Sequence, residues 1–215
     1  MGGCCNSRGC DSFFDQRFAR RVANRYRRRG LDRTARRIVA FLEERGVEGA
    51  TVLEVGGGVG EIQLELLKRG ALRTVNLELS PGYDEEARRL LREAGLEGRA
   101  ERRLTDIAAQ PEEVGPADVV VLNRVVCCYP DYERLLGAVA DHAKRLVVFS
   151  YPPRNLVSRA IVGAQNLFSR VRGREFRVFT HPPAAMLAVV EERGFRRAAA
   201  QSALVWRVAG LERAT

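Results

Sequence analysis

Residues Val52-Leu53-Glu54-Val55-Gly56-Gly57-Gly58-Val59-Gly60 place an apolar run directly before a cluster of glycines. Glycines in such a place permit a tight turn and let a ligand approach the backbone, at the edge of a parallel sheet where ligands bind. A dinucleotide fingerprint requires glycine three residues after Gly58, and Glu61 stands there instead. The remaining pattern is Glu54-x-Gly56-x-Gly58-x-Gly60, an acid two residues before the first glycine.

Five cysteines form a second chemical signal: Cys4, Cys5, Cys10, Cys127 and Cys128. With no secretory signal ahead of them they read as inert thiols, as ligands of zinc or another thiophilic metal, or as a redox pair, and not as a disulfide framework. Cys5 and Cys10 stand at the wide end of zinc-ligand spacing, whereas adjacent cysteines seldom share one ion. The chain has two histidines. His142 is expected late in a surface helix, in solvent. His181 precedes Pro182-Pro183, where a turn would bring it over the sheet edge, in a substrate-side role or as a capping histidine.

Elements to position these groups can be read from periodicity. Asp11 or Ser12 can cap a helix in which Phe14, Phe18, Val22 and Tyr26 recur every fourth residue until Gly30. A second helix starts near Asp32 and ends at Gly46. From residue 51 strands and helices alternate: strands at 51–55, 74–79, 99–104, 118–122 and 145–151, with helices at 61–69, 83–94 and 131–144. Such alternation implies parallel strands with right-handed crossovers, a doubly wound α/β sheet. Residues 152–183 interrupt the rhythm with Leu156, Val157, Ala160, Ile161, Ala164, Leu167, Phe168 and Val171 at helical spacing, an insertion expected to lean on something apolar. A helix at 184–193 and two strands at 195–201 and 203–209 close the chain as a hairpin.

The glycine pattern resembles motif I of class I S-adenosylmethionine-dependent methyltransferases. The resemblance covers about residues 31 to 209. It implies a seven-stranded Rossmann-like methyltransferase sheet, with residues 1–46 as a helical lid and 47–215 as the cofactor-binding domain. It assigns Glu54, Gly56, Gly58 and Gly60 to the methionine part of S-adenosylmethionine, Glu78 to the ribose hydroxyls and Asp106 to the adenine side. Two hydroxyls donating to one carboxylate make a bidentate clamp. Residues Ala117 to Asn123, then Tyr129-Pro130-Asp131, match the family's motif IV region, which makes Asn123 a candidate for cofactor or substrate and Tyr129 for substrate. The second half is similar to magnesium-protoporphyrin O-methyltransferase and its relatives, which esterify a propionate carboxylate. Where that group has a His before the Tyr-Pro pair and a Tyr early in the lid, this chain has Cys128 and Phe13.

Methyl transfer from a sulfonium is an in-line displacement, so catalysis is mostly positioning. A carboxylate or thiolate acceptor needs no general base, whereas an alcohol, phenol or protonated amine does. The candidate catalytic residues are His181, Tyr129 and Asn123, and the candidate substrate contacts Phe14, Tyr26, Arg124, Cys128 and Phe168. The expected reaction is O-methylation of an anionic small molecule. The alternatives are methylation of a thiol, metalloid or metal-bound acceptor held by the cysteines, or a non-catalytic metal-binding module on the same fold.

Charge and targeting signals bound the partners. The net charge is +9, and residues 1–37 carry eleven arginines against three acids, net +8. A basic helix face of this kind is either solvated or attracts an anionic substrate. Nucleic acid is disfavoured, because the remainder is nearly neutral and the place after the fourth strand reads Asn123-Arg124-Val125-Val126. No apolar run reaches the length of a membrane span, and Asn6 stands where a myristoylation signal needs Ser or Thr. A cytoplasmic protein is expected.

Overall fold

The computed structural model describes residues 13–173, 176–201 and 205–214. Seven strands form one sheet: β1 (Thr51–Val55), β2 (Arg73–Glu78), β3 (Ala100–Leu104), β4 (Ala117–Leu122), β5 (Ala143–Tyr151), β6 (Phe195–Gln201) and β7 (Arg207–Arg213). Their order is β3-β2-β1-β4-β5-β7-β6. β1 pairs in parallel with β2 and β4, with Val55 opposite Leu77 and Leu122. Only β7 runs antiparallel between β5 and β6.

The strand sequences explain this arrangement. Val119 and Val121 join a core on one side of the sheet, and Val120 and Leu122 a core on the other. A strand buried on both faces must be apolar at every position, as parallel strands between helical layers are. The helices are α1 (Gln16–Arg29), α2 (Arg33–Glu44), α3 (Glu61–Lys68), α4 (Asp84–Ala94), α5 (Tyr132–His142), α6 (Leu156–Val171) and α7 (Pro183–Glu191). α1 to α4 contribute to the first core, and α5 and α7 to the second.

Several expectations are corrected. Asp15 caps α1 by accepting from the Phe18 N–H at 2.8 Å; the anticipated caps Asp11 and Ser12 lie outside the described residues. The helix expected at 131–144 ends at His142, and Ala143 begins β5. The final strand spans Arg207–Arg213, four residues later than expected, because Val208, Ala209 and Leu211 are the residues buried beside β5. The expected start, Ala203 and Leu204, lies outside the described residues, and Val205 is exposed. α6 is a helix as expected, but it does not rest its apolar face on the protein. Leu156, Val157, Ile161, Leu167, Phe168 and Val171 are exposed, while Ser158 and Ser169 are buried.

Three of the seven arginines of α1, Arg20, Arg25 and Arg27, pair with acids. Arg27 donates to Glu93 through Nε at 2.8 Å and Nη2 at 3.0 Å, and to Glu86 through Nη1 at 3.2 Å. Arg20 lies 3.6 Å from Glu86, which is itself buried. These contacts tie α1 to α4 and fix how α1 lies over the sheet edge.

Candidate active site

A cavity of about 260 Å³ opens where the C-terminal ends of β1, β2 and β4 meet α1. Its floor is the turn after β1. Gly56 has φ +64°, and a Cβ there would lie 2.5 Å from a methyl of Val125. A Cβ at Gly57 would lie 2.6 Å from Asn76 Nδ2 and 2.7 Å from Glu54 Cδ. Gly56 is thus required by the protein's own packing and by its backbone geometry, and Gly57 by packing. Gly57 lies outside the pattern that the sequence reading singled out.

Beneath the turn, Glu54 is buried and accepts from the Gln63 N–H at 3.1 Å. Gln63 donates to Thr74 Oγ1 at 2.5 Å, and Asn76 donates to Gln63 at 3.4 Å. Burial, reinforced by the nearby Glu61, pushes the Glu54 carboxyl up to about 8. Burial also pushes Glu61 up to about 7, against the attraction of Arg25. A neighbouring acid adds to the effect of burial in each case, Glu61 on Glu54 and Asp32 on Glu61.

Glu78 terminates β2 in the cavity wall. Its Oε2 accepts from Gly58 N–H at 2.8 Å, and its Oε1 from Leu79 N–H at 2.8 Å and Ser80 N–H at 3.2 Å. A carboxylate offers about four lone-pair positions, so capacity remains for a ligand hydroxyl. Asp106 accepts from Ala108 N–H at 3.0 Å and from the Tyr129 hydroxyl at 3.1 Å. Tyr129 is therefore a support for Asp106, on the wall that the loop after β4 builds. The set of an acid at each of the first two strand ends, a third acid beside the cavity and a glycine turn between them fits S-adenosylmethionine.

The loop after β4 supplies the remaining wall. Ser150 Oγ donates to Asn123 Oδ1 at 2.9 Å and accepts from Arg124 N–H at 2.8 Å. Arg124 is the one non-glycine residue among those described with positive φ, at 63°. Left-handed backbone at a side chain this large persists only where its surroundings impose it. Its Nη2 lies 2.8 Å from Asp32 Oδ2, the N-cap of α2, and its guanidinium carbon lies 5.1 Å from the Trp206 ring centroid. Its buried Nε has no hydrogen-bond partner. Arg25 of α1 completes this corner, 3.4 Å from Glu61 and 3.8 Å from Asp32.

The cavity brings together Phe14, Glu54, Gly56, Gly58, Glu78, Asp106, Asn123, Arg124, Cys128 and Tyr129. Other candidates lie elsewhere. Tyr26 does not line it: its hydroxyl donates to Glu65 at 2.6 Å and accepts from Lys68 at 3.1 Å. At about 100° per residue, eight residues carry Tyr26 roughly 80° round α1 from Phe18, whereas Arg25 is displaced by only about 20°. Arg25, Phe18 and Val22 line the cavity, and this angle is the signal that would have found Arg25. Phe168 is exposed on α6 under the Arg172 guanidinium, 4.2 Å from its centroid. His181 lies outside the cavity lining, with Nε2 2.9 Å from the Tyr129 carbonyl and its ring against Phe179 and Tyr132. Burial lowers its basicity, and it pins the chain after α6 to the loop after β4. Gly60 begins α3 in left-handed conformation, φ 79°, beneath the cavity and not in its wall. His142 caps its helix, with its ring nitrogens near the carbonyls of Ala138 and Pro111.

The described cysteines are Cys127 and Cys128, with sulfurs 3.7 Å apart. The Cys128 thiol, by hydrogen bonding, lowers the Cys127 pKa. Cys128 lines the cavity and Cys127 is buried behind it. Among the described residues no group of three or more His, Cys, Asp or Glu could hold a metal ion. Cys4, Cys5 and Cys10 lie outside the described residues.

This geometry has counterparts among solved structures. A magnesium protoporphyrin IX methyltransferase from Synechocystis PCC 6803, solved with bound SAH, is 20% identical over 95% of this chain and 99% of that one, with a TM-score of 0.72. An O-methyltransferase family protein from Burkholderia thailandensis is 23% identical over 95% of this chain and 62% of that one, with a TM-score of 0.71. No curated protein sequence matches the chain significantly. The family described as "Methyltransferase domain" matches residues 24–199. With that match across most of its length, and with the strand order and cavity described above, the chain belongs to the methyltransferase-domain family, as a class I S-adenosylmethionine-dependent methyltransferase.

Proposed function

We propose that this enzyme methylates an oxygen of an anionic small molecule, with a carboxylate as the acceptor. The observation that carries this reading is Arg124. Its backbone is held at φ 63°, its Nε is buried without a hydrogen-bond partner, and its side chain lines the cavity wall beside Arg25. A buried orphaned donor on a strained loop residue is a place for a ligand acceptor. The magnesium protoporphyrin IX methyltransferase of similar fold supports the class of acceptor.

S-adenosylmethionine supplies an electrophilic methyl group. Glu78 would hold a ribose hydroxyl, Asp106 the adenine side, and the Glu54 turn with Asn123 the methionine end. Neither histidine lines the cavity, and a carboxylate acceptor is already ionised at neutral pH, so no side chain has to remove a proton. What the chain supplies is placement: Arg124 and Arg25 orient the anion, while Phe18 and Val22 of α1, with Phe14 just before it, cover the site and exclude water. In this reading α1 acts as the lid.

The test is methyl transfer from labelled S-adenosylmethionine to a panel of aromatic and aliphatic acids that includes magnesium protoporphyrin IX, with matched phenols and thiols. Methyl esters release methanol in mild alkali, whereas methyl ethers and thioethers do not. Alkali-labile product, with KM raised roughly tenfold or more in Arg124→Gln at a smaller change in kcat, is expected for a lost charge-assisted bond. Label found only in alkali-stable products would overturn the carboxylate assignment.

A further inference from the structure

α6 turns the usual relation between a helix and its protein inside out. At about 100° per residue, its apolar side chains Leu156, Val157, Ile161, Leu167, Phe168 and Val171 fall in a single arc of roughly 140°, with two alanines between them. All six are exposed, from 51% at Ile161 to 82% at Leu156. The opposite side faces the protein and is polar apart from half-buried Val162. Ser158 and Ser169 are buried there, and the Asn166 side chain both donates to and accepts from the Val178 backbone, at 2.8 and 2.9 Å. Those bonds fix the rotation of α6, so the apolar face points outward by construction.

The charges around that face have one sign. Residues 152–173 contain Arg154, Arg159, Arg170 and Arg172 and no acid, and all four arginines are exposed. Arg159 and Arg170 border one edge of the apolar arc and Arg172 the other. A contiguous exposed apolar patch on a soluble domain marks an interaction site. A two-fold pairing of this face with itself would set one arginine border against another without an acid to relieve it. A lipid surface bearing anionic headgroups matches both the apolar arc and the basic borders.

We propose that α6 is an interfacial anchor, which seats its apolar face in the headgroup layer of an anionic membrane with the bordering arginines on lipid phosphates. The helix lies on the surface and does not cross it, consistent with the lack, among the described residues, of any helix long and apolar enough to span a bilayer. The same arrangement sets the chain that leaves α6 near the cover of the cavity, since Phe176 stacks on Phe13 at 4.6 Å and meets Phe14 edge-on at 5.2 Å. The anchor stands independently of the acceptor proposed above.

The experiment is flotation of the full-length protein with vesicles of equimolar phosphatidylcholine and phosphatidylglycerol, and with vesicles of phosphatidylcholine alone. Wild type is expected to float with the anionic vesicles only. Leu156→Glu/Leu167→Glu is expected to abolish flotation, and each of Arg159→Gln and Arg170→Gln to lower partitioning about fivefold. Both leucines are exposed, so far-UV circular dichroism and S-adenosylmethionine affinity should match wild type and show that the variant is folded. No flotation of wild type, or equal flotation of the double variant, would overturn the proposal. So would a dimer in analytical ultracentrifugation that the double variant converts to monomer while wild type ignores vesicles, because the face would then serve a second copy of the chain.

Discussion

Glu54→Gln tests how the floor of the cavity is held. Glu54 is 2% exposed, and burial, followed by the charge of Glu61, moves its carboxyl from an ordinary 4.5 to about 8. Between those values the folded protein retains a proton that the unfolded chain has released. The stability this confers is complete below about pH 4.5 and is lost as pH rises through about 8. A separation of roughly three and a half pH units corresponds to about 4 to 5 kcal/mol, at about 1.4 kcal/mol per unit. Glu61 acts in the same direction through about 7, and the two do not add because the Glu61 charge is part of what raises Glu54. His181, whose imidazole is held below its ordinary value by burial, acts oppositely at the lower end of the range. The informative quantity is therefore the difference between variant and wild type at each pH. Urea unfolding of cofactor-free protein in reductant, followed by far-UV circular dichroism from about pH 5 to about pH 8.5, measures it. The glutamine keeps an acceptor for the Gln63 N–H but has no proton to lose. The variant is expected to be the flatter of the two, and to gain on wild type by several kcal/mol across the range. Parallel pH profiles would refute the reasoning and mean that Glu54 is solvated or paired in the folded state.

Three further outcomes are expected. Glu78→Ala should weaken S-adenosylmethionine binding by about 1 to 3 kcal/mol in calorimetry, through lost ligand bonds and loss of its hold on the Gly58, Leu79 and Ser80 amides; unchanged affinity would remove Glu78 from the cofactor site. Gly57→Ala should destabilise the protein by about 1 to 3 kcal/mol in urea unfolding, because its Cβ would meet Asn76 Nδ2 at 2.6 Å and Glu54 Cδ at 2.7 Å. Arg27→Ala should cost about 1 kcal/mol of stability and raise the susceptibility of α1 to limited proteolysis, since it removes the two-nitrogen contact with Glu93 and one partner of buried Glu86.

The part of the cavity built by the first two strands was legible in the sequence. The run from Thr51 to Gly60 specifies strand, turn and helix through apolar residues followed by glycines. Glu78 and Asp106 stand where strand ends bring them to the same cavity. These are local consequences of sequence, because a parallel strand buried on both faces must be apolar throughout and its end must turn. The wall contributed by α1 was less legible. Tyr26 and Arg25 are neighbours in sequence, yet one is bonded to Glu65 on α3 and the other lines the cavity. Their separation depends on an angle that accumulates along α1 and on the ion pairs that lock its rotation.

The sequence by itself determined the class of fold, the order of strands and helices through β5, the glycine turn and the acids that flank it, since each follows from periodicity or from backbone requirements within a few residues. Only the tertiary structure decided which way each amphipathic surface faces. α6 has the periodicity of a core helix, but Asn166 bonded to Val178 turns its apolar side outward. β7 begins at Arg207 because pairing with β5 selects which residues are buried. His181 packs against Tyr132 and Phe179 and reaches the Tyr129 carbonyl, away from the cavity wall. Periodicity records that a side is apolar, whereas its orientation depends on hydrogen bonds and contacts between residues far apart in the chain.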